Sequence, residues 1–360
     1  MNEIYDYISE GYQTIPSLIV EKTGKNIKEV SDYICNPIYD DIKKNYVNKK
    51  SFFFIVNNRE ICVYFYEKIN KPKTMNFYKE CLKKMYLWLY VADKYACSRC
   101  SVYMNIYVYF TDHLKQLPTD GSAIDRYNVN TAFTTPCDNQ TDIHIFREEE
   151  WFKVFIHETF HNLGLDFSSI QENISRNKIL ELFPVSSEVR LYESYCETWA
   201  ETIHTLFVSF LSAQNKNKKI VMEKWEKMIY IEKQFSLFQT VKLLRYYNMS
   251  YQELYDNSVE SHRKRILYKE KTQALTYYVI KSILLFHLND FIEWCMITNN
   301  RSLNFKKNNT AIKSYCKLIE NMYREPLFLE NIVKMENFYL TNYSDVKMEY
   351  KTIRMTIYEN

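Results

Sequence analysis

The sequence has no long hydrophobic run. Its longest apolar stretch, Thr205–Ala213, is far shorter than the roughly 20 residues that a membrane-spanning helix needs. The first residues carry acids and lack the apolar core and small-residue cleavage site of a secretory signal. The sequence therefore predicts a cytoplasmic protein that has no membrane partner.

A strong excess of one charge is also missing. The chain has 47 basic and 44 acidic residues, for a net charge of +3. Two short basic stretches, Asn215–Lys219 and His262–Arg265, are not interleaved with aromatic residues that could stack on bases. We therefore expect no nucleic-acid partner, and we expect both stretches to be solvated surface.

The cysteines do not follow the regular spacing of a disulfide framework. There are 9 of them, an odd number, scattered along the chain. Cys97 and Cys100 form a lone CxxC pair with no second pair to complete a zinc knuckle. Because a protein without an export signal is expected in a reducing compartment, the sequence predicts reduced thiols.

Few features mark a domain boundary, since the chain has only 4 Gly, 7 Pro and no internal repeat. Strand patterns dominate up to the middle of the chain, and from about Ser186 the pattern is helical. The predicted elements are a hairpin at Ser51–Glu67, a helix at Thr74–Ala96, and strands at Tyr103–Phe110, Asn128–Thr135 and Asp142–Arg147. The fold class is α+β, with a mixed α/β amino-terminal half followed by a mostly α-helical carboxy-terminal half. The predicted divisions are a helical extension (1–48), an α/β subdomain (49–168), an α-helical subdomain (186–340) and a tail (341–360).

The stretch Val154–Ser168 contains the pattern His-Glu-x-x-His. On a helix, His157 and His161 lie one turn apart on the same face and can share one metal ion, while Glu158 can reach a water molecule beside it. Three glutamates precede the apolar part of this helix, and Gly164 falls where its C-cap is expected. The pattern predicts a zinc site with Glu158 as general base and acid.

A catalytic zinc ion needs a third protein ligand. In one extended form of the motif the third ligand lies six residues after the second histidine, but Phe167 stands there, with Asp166 one residue early. A helix pattern further along places Glu193, Glu197 and Glu201 four residues apart on one face. Asp166 and the acids of this second helix are therefore the candidates.

The segment 197–201, Glu-Thr-Trp-Ala-Glu, resembles the ExxA[DE] pattern of the gluzincins, the thermolysin-like zinc peptidases. This resemblance implies that Glu197 is the third ligand, that Ala200 lets two helices approach, and that Glu201 orients a ligating histidine. The gap of 35 residues between His161 and Glu197 is longer than in thermolysin-like enzymes. The alternative assignment has Glu193 as the ligand and Glu197 behind it.

The strands upstream are also similar to the gluzincin and metzincin order of strand, antiparallel edge strand, strand and catalytic helix. The resemblance covers about 105–206 and implies a zincin-like sheet whose edge strand, at Asn128–Thr135, roofs the cleft and pairs with an extended peptide substrate. The site also resembles that of metallopeptidases of large nucleocytoplasmic DNA viruses, which would place the protein in the host cytoplasm or the virion.

The resemblance implies a zinc metalloendopeptidase that acts on a peptide or protein. A donor for the developing oxyanion would be a His, Tyr or Arg beyond the third ligand, and His204 and His262 are candidates for it or for the site lining. Two alternatives remain: a non-catalytic virion or scaffold protein with a structural metal or none, and a narrow-specificity or self-processing protease. The intact Glu158 favours catalysis, since structure alone would not require it.

Overall fold

The computed structural model describes residues 1–15, 20–24, 30–300, 302–342 and 352–359. Within them, six strands form one mixed sheet in the order β1-β2-β3-β4-β6-β5. The strands are β1 (Val20–Gly24), β2 (Tyr46–Val56), β3 (Arg59–Lys68), β4 (Tyr103–Thr111), β5 (Ala132–Thr134) and β6 (Gln140–Arg147). The sheet occupies the amino-terminal half, as predicted.

The direction of the strands follows from their connections. β2 and β3 form the predicted antiparallel hairpin, whose turn has Asn57 in the left-handed region at φ 52°. Strands β3, β4 and β6 run parallel to one another. The short β5 pairs antiparallel with β6 and lies at the end of the described sheet.

The carboxy-terminal half of the described chain is helical, and further helices lie between the strands of the amino-terminal half. The helices are α1 (Asn2–Gln13), α2 (Ile38–Asn45), α3 (Met75–Asp93), α4 (Arg126–Val129), α5 (Trp151–Asn162), α6 (Asn173–Leu182), α7 (Leu191–Ser212), α8 (Lys218–Tyr246), α9 (Val259–Leu267), α10 (Lys281–Phe286), α11 (Leu288–Thr298), α12 (Asn309–Met322) and α13 (Pro326–Asn342). A π-helical turn at Leu275–Ile280 leads into α10. Across the described ranges, none of the helices has the length and apolar character that a bilayer crossing demands.

The helix α5 lies at the junction of the two halves. It follows β6 directly and packs against β5, β6 and α7. Apolar residues on several sides of it are fully buried, because sheet and helices cover it from both directions. One hydrophobic cluster extends from Ile4 near the amino terminus to Met355 near the carboxy terminus, so the two halves share a core.

Several details differ from the sequence-based expectations. Of the strand expected at Asn128–Thr135, only β5 (Ala132–Thr134) forms. Asn128 and Val129, before it, belong to the short helix α4, because Asp125 and Asn128 form a reciprocal capping box there. The glutamates expected in the first turn of α5 precede it, and Glu150 stands at the N-cap position with φ 59°. The segment 1–48 contributes β1 and the start of β2 as well as helices.

The prediction of reduced thiols is wrong for two cysteines. Cys100 and Cys137 form a disulfide, while Cys97 remains free. The loop that precedes β6 returns beside the start of β4 and brings the two Cα atoms within 4.9 Å. Sequence spacing does not reveal this approach, because the two residues are 37 positions apart. The bridge packs on Gly164, where an added Cβ would lie 3.1 Å from Cys100 Sγ.

Candidate metal centre

The two histidines of the motif meet one acid of α7. His157 Nε2 lies 3.1 Å from Glu193 Oε2, and His161 Nε2 lies 3.5 Å from the same oxygen. The two Nε2 atoms are 3.2 Å apart. All three residues are at least largely buried, and this group could hold a metal ion.

The spacing of these three atoms suits a tetrahedral ion. Ligands about 2.0–2.1 Å from a tetrahedral centre are separated by about 3.3–3.4 Å, whereas adjacent octahedral ligands at the same bond length are separated by about 2.9 Å. The three observed separations, 3.1, 3.2 and 3.5 Å, lie around the tetrahedral value. An ion held tetrahedrally by these three atoms would have a fourth position open to water or substrate.

The other nitrogen of each histidine faces a carboxylate. His157 Nδ1 lies 2.8 Å from Glu197 Oε2, and His161 Nδ1 lies 2.6 Å from Asp166 Oδ2. His161 Nδ1 donates a hydrogen bond to Asp166, which holds the tautomer and orientation of that ring, whereas Glu197 makes a close ion-pair contact with His157 Nδ1 outside hydrogen-bond geometry. The turn after α5 places Asp166: Gly164 adopts φ 66°, and the chain doubles back toward His161.

The geometry therefore differs from the assignment favoured by the sequence. Glu197, expected as third ligand, contacts the outer nitrogen of His157 and pairs with Lys153. Glu201, expected to orient a histidine, pairs with Lys281 at 2.6 Å. The face of α7 that meets the two histidines is centred one turn earlier than the resemblance implied, so Glu193 is the acid that faces both Nε2 atoms. This is the alternative assignment, with Glu197 behind Glu193.

Asp166, the other candidate third ligand, belongs to a second group. His161 Nδ1, Asp166 Oδ2 and Cys196 Sγ lie near one another, and Cys196 Sγ is 3.8 Å from Nδ1. Burial raises the pKa of the Cys196 thiol, so the neutral thiol is favoured there. A neutral thiol is a poor metal ligand. The group that includes Glu193 is accordingly the stronger candidate.

Glu158 is buried beside the two histidines. Burial raises the pKa of its carboxyl group, although the neighbouring His157 and His161 act in the opposite direction. Within the described part of the chain, its carboxylate makes no hydrogen bond to protein, and it lines the cleft next to His157. Glu158 is thus placed to bind a water molecule in the cleft.

Electrostatics at the site favour a bound cation. Burial disfavours protonation of His157, but contacts with Glu193 and Glu197 outweigh it and raise the His157 pKa to about 9. The pKa of Glu193 is held well below its usual range: burial opposes this, and the two histidines overcome it. In the metal-free site, protonated His157 and His161 supply the positive charge that these acids attract, and a metal ion would supply it in place of those protons.

The cleft beside the motif is lined by residues from both halves of the chain. It contains residues 129–132 before and within β5, one side of α5, and Tyr277 of the π-helical turn. The Tyr277 ring lies 5.9 Å from that of His157, and its hydroxyl makes no hydrogen bond within the described residues. Burial, followed by the nearby charges of Glu193 and Glu158, raises the pKa of Tyr277, so its hydroxyl stays protonated.

The two histidines expected to line the cleft do not lie there. His204 is buried on α7, where its Nε2 lies 3.0 Å from the carbonyl oxygen of Tyr358 and its ring packs on Phe152. His262 is exposed on α9. Neither of them is among the residues that line the cleft.

Four residues of the cleft were missed in the sequence, namely Lys115, Lys153, Tyr277 and Met355. Lys153 pairs with Glu197, and its spacing of four residues before His157 is a signal that could have placed it on the same helix face. Tyr277 had no such signal, since the chain has 32 tyrosines. Met355 reaches the cleft from the carboxy-terminal end of the chain, which no local pattern reveals.

Comparisons with protein-family models, with curated proteins and with solved structures find no match to this chain.

Proposed function

We propose that the protein is a zinc-dependent peptidase in which His157, His161 and Glu193 hold the metal. The observation that carries the proposal is the near-tetrahedral spacing of Nε2, Nε2 and Oε2, at 3.1–3.5 Å, with Glu158 beside it. Two imidazoles and one carboxylate, with a fourth vertex left for water, are the ligand set of zinc hydrolases.

Zinc in this position would polarise a water molecule and lower its pKa from about 15.7 to about 7. Glu158, which has no protein hydrogen-bond partner among the described residues, would accept a proton from this water as general base. The same carboxyl group then returns the proton to the departing amine. Glu197 lies beside Nδ1 of His157 and Asp166 beside Nδ1 of His161, and these two acids orient the imidazole rings.

The substrate is proposed to be a peptide in extended conformation. β5 pairs with β6 through one edge, and its other edge faces no further strand in the described sheet. An extended peptide can add to such an edge through backbone hydrogen bonds. Tyr277 is positioned across the cleft, where its protonated hydroxyl can donate to the developing oxyanion.

The test combines metal content with activity. Protein prepared without chelator should contain about one zinc ion per chain by atomic emission. The Glu158→Gln variant should retain that zinc and lose cleavage of a mixed peptide library, because the amide cannot take a proton from water. Zinc-free wild-type protein contradicts the proposal. Zinc-loaded protein that cleaves nothing, even after the carboxy-terminal residues 352–360 are released, favours the non-catalytic alternative.

A further inference from the structure

The carboxy-terminal segment, residues 352–359, lies inside the protein. The side chains of Ile353, Met355 and Thr356 are at most 3% exposed. Three separate parts of the fold contact the segment: the start of α5, helix α8 and the π-helical turn. The segment therefore packs against elements from both halves, with Glu359 exposed at its end.

Two buried acids hold its backbone. The amides of Met355 and Thr356 both donate to Oε1 of Glu150, each at 2.6 Å. Further along, the amide of Ile357 donates to Oε2 of Glu232 at 3.1 Å. Because these bonds are made to main-chain N–H groups, they hold the bent backbone of the segment largely irrespective of its side chains. The anchors thus form a peptide-binding groove.

This groove adjoins the metal centre. Glu150 directly precedes α5, which carries His157 and Glu158. Met355 lines the same cleft as those two residues, and its Sδ lies 3.6 Å from Lys153 Nζ. The Met355 side chain fills part of this cleft, on the side that faces Lys153 and α5.

We propose that the carboxy-terminal segment is an internal inhibitor, whose Met355 side chain occupies the position that a substrate side chain needs. The inference rests on the proposed peptidase function. In the docked state, water reaches Glu158 but a peptide does not. Displacement of the segment, by another extended peptide or by proteolytic removal, opens the cleft and activates the enzyme.

The first test uses zinc-loaded, full-length protein and a leucine-based peptidyl hydroxamate, a probe that needs both the metal and room for one side chain. Met355→Ala clears the cleft while leaving every backbone anchor in place. Ile353→Ala is the matched control, because Ile353 is equally buried in the same segment and does not line the cleft. Affinities are measured by calorimetry.

We expect Met355→Ala to bind the hydroxamate at least about tenfold more tightly than wild type, and Ile353→Ala to match wild type. Equal affinities for all three proteins, or equal tightening by both variants, overturn the inhibitor proposal. Failure of the peptidase proposal appears separately, as protein without zinc or as zinc-loaded protein that cleaves no peptide after the segment is released.

A second test does not depend on a substitution. A site-specific protease sequence is introduced within residues 343–351, the folded protein is cut there, and the released peptide is removed by dialysis. The cut protein should bind the hydroxamate more tightly and cleave peptides faster, and a synthetic peptide of residues 352–360 should reverse both effects. Unchanged binding after release of the peptide, with circular dichroism showing an intact fold, contradicts the proposal.

Discussion

The two acids Glu193 and Glu197 should respond differently to the same substitution. Both lie on α7, one turn apart, and both are buried. Glu193 Oε2 faces both Nε2 atoms, whereas Glu197 bridges His157 Nδ1 and Lys153 Nζ. Glu193→Gln therefore removes an anionic metal ligand, and Glu197→Gln removes the partner of a buried cation.

Metal affinity gives the first comparison. Zinc sites with four protein ligands bind with about 10–16 kcal/mol, or about 3–4 kcal/mol per ligand, so Glu193→Gln should weaken zinc binding by two to three orders of magnitude. Loss of a carboxylate that orients a ligand costs about 10–100-fold, which we expect for Glu197→Gln. Competition with a chromogenic chelator measures both values.

Stability of the metal-free protein gives the second comparison, with the opposite ranking. Glu197→Gln leaves Lys153, which is 1% exposed, without its anion, and breaking a buried pair in this way costs about 3–5 kcal/mol. Glu193→Gln removes an anionic partner of His157 and His161, but an imidazole can release its proton, so this variant should cost less. Urea unfolding measures the difference, and adding Lys153→Met to Glu197→Gln should restore most of the loss. If Glu197→Gln is the variant that abolishes zinc binding, the ligand assignment is refuted.

Three other consequences of the structure are open to measurement. Cys137→Ser removes the disulfide with Cys100, which closes a loop of 37 residues. The free energy of unfolding in urea should therefore fall by about 4 kcal/mol. An unchanged unfolding midpoint contradicts the disulfide. Burial lowers the pKa of His204 to about 4, below its unfolded value of 6.5. The contribution of neutral His204 to the free energy of unfolding is therefore present above pH 6.5 and is lost as the pH falls toward 4. His204→Phe should reduce the loss of stability between these pH values by up to about 3 kcal/mol. Tyr277→Phe should lower kcat by about 10²–10³-fold with unchanged zinc content and KM, and a change in KM alone argues against oxyanion stabilisation.

The fold class and the metal helix could be predicted from local patterns. The hairpin, α3 and α5 have strong periodicity and clear boundaries, such as the Thr74 N-cap of α3 and the positive φ of Gly164 after α5. The pairing of His157 and His161 follows from helical spacing alone. These features depend on residues close together in sequence.

The third ligand could not be chosen in this way. Glu193, Glu197 and Glu201 share one face of α7, and their separate roles depend on how α7 is placed along α5 and on which cations oppose it. Lys153 lies on α5 and Lys281 on α10, so the partners come from distant parts of the chain. The disulfide and the burial of Met355 likewise depend on long-range contacts that no short pattern encodes.

The central claim is that both Nε2 atoms and Glu193 Oε2 bind one metal ion, with Glu158 beside an open vertex. An anomalous difference map, recorded at the zinc absorption edge from crystals of protein prepared without chelator, tests it most directly. The account predicts one peak about 2.0–2.2 Å from His157, His161 and Glu193. A crystal without a peak there, or with the peak beside Asp166 and Cys196 instead, would contradict it.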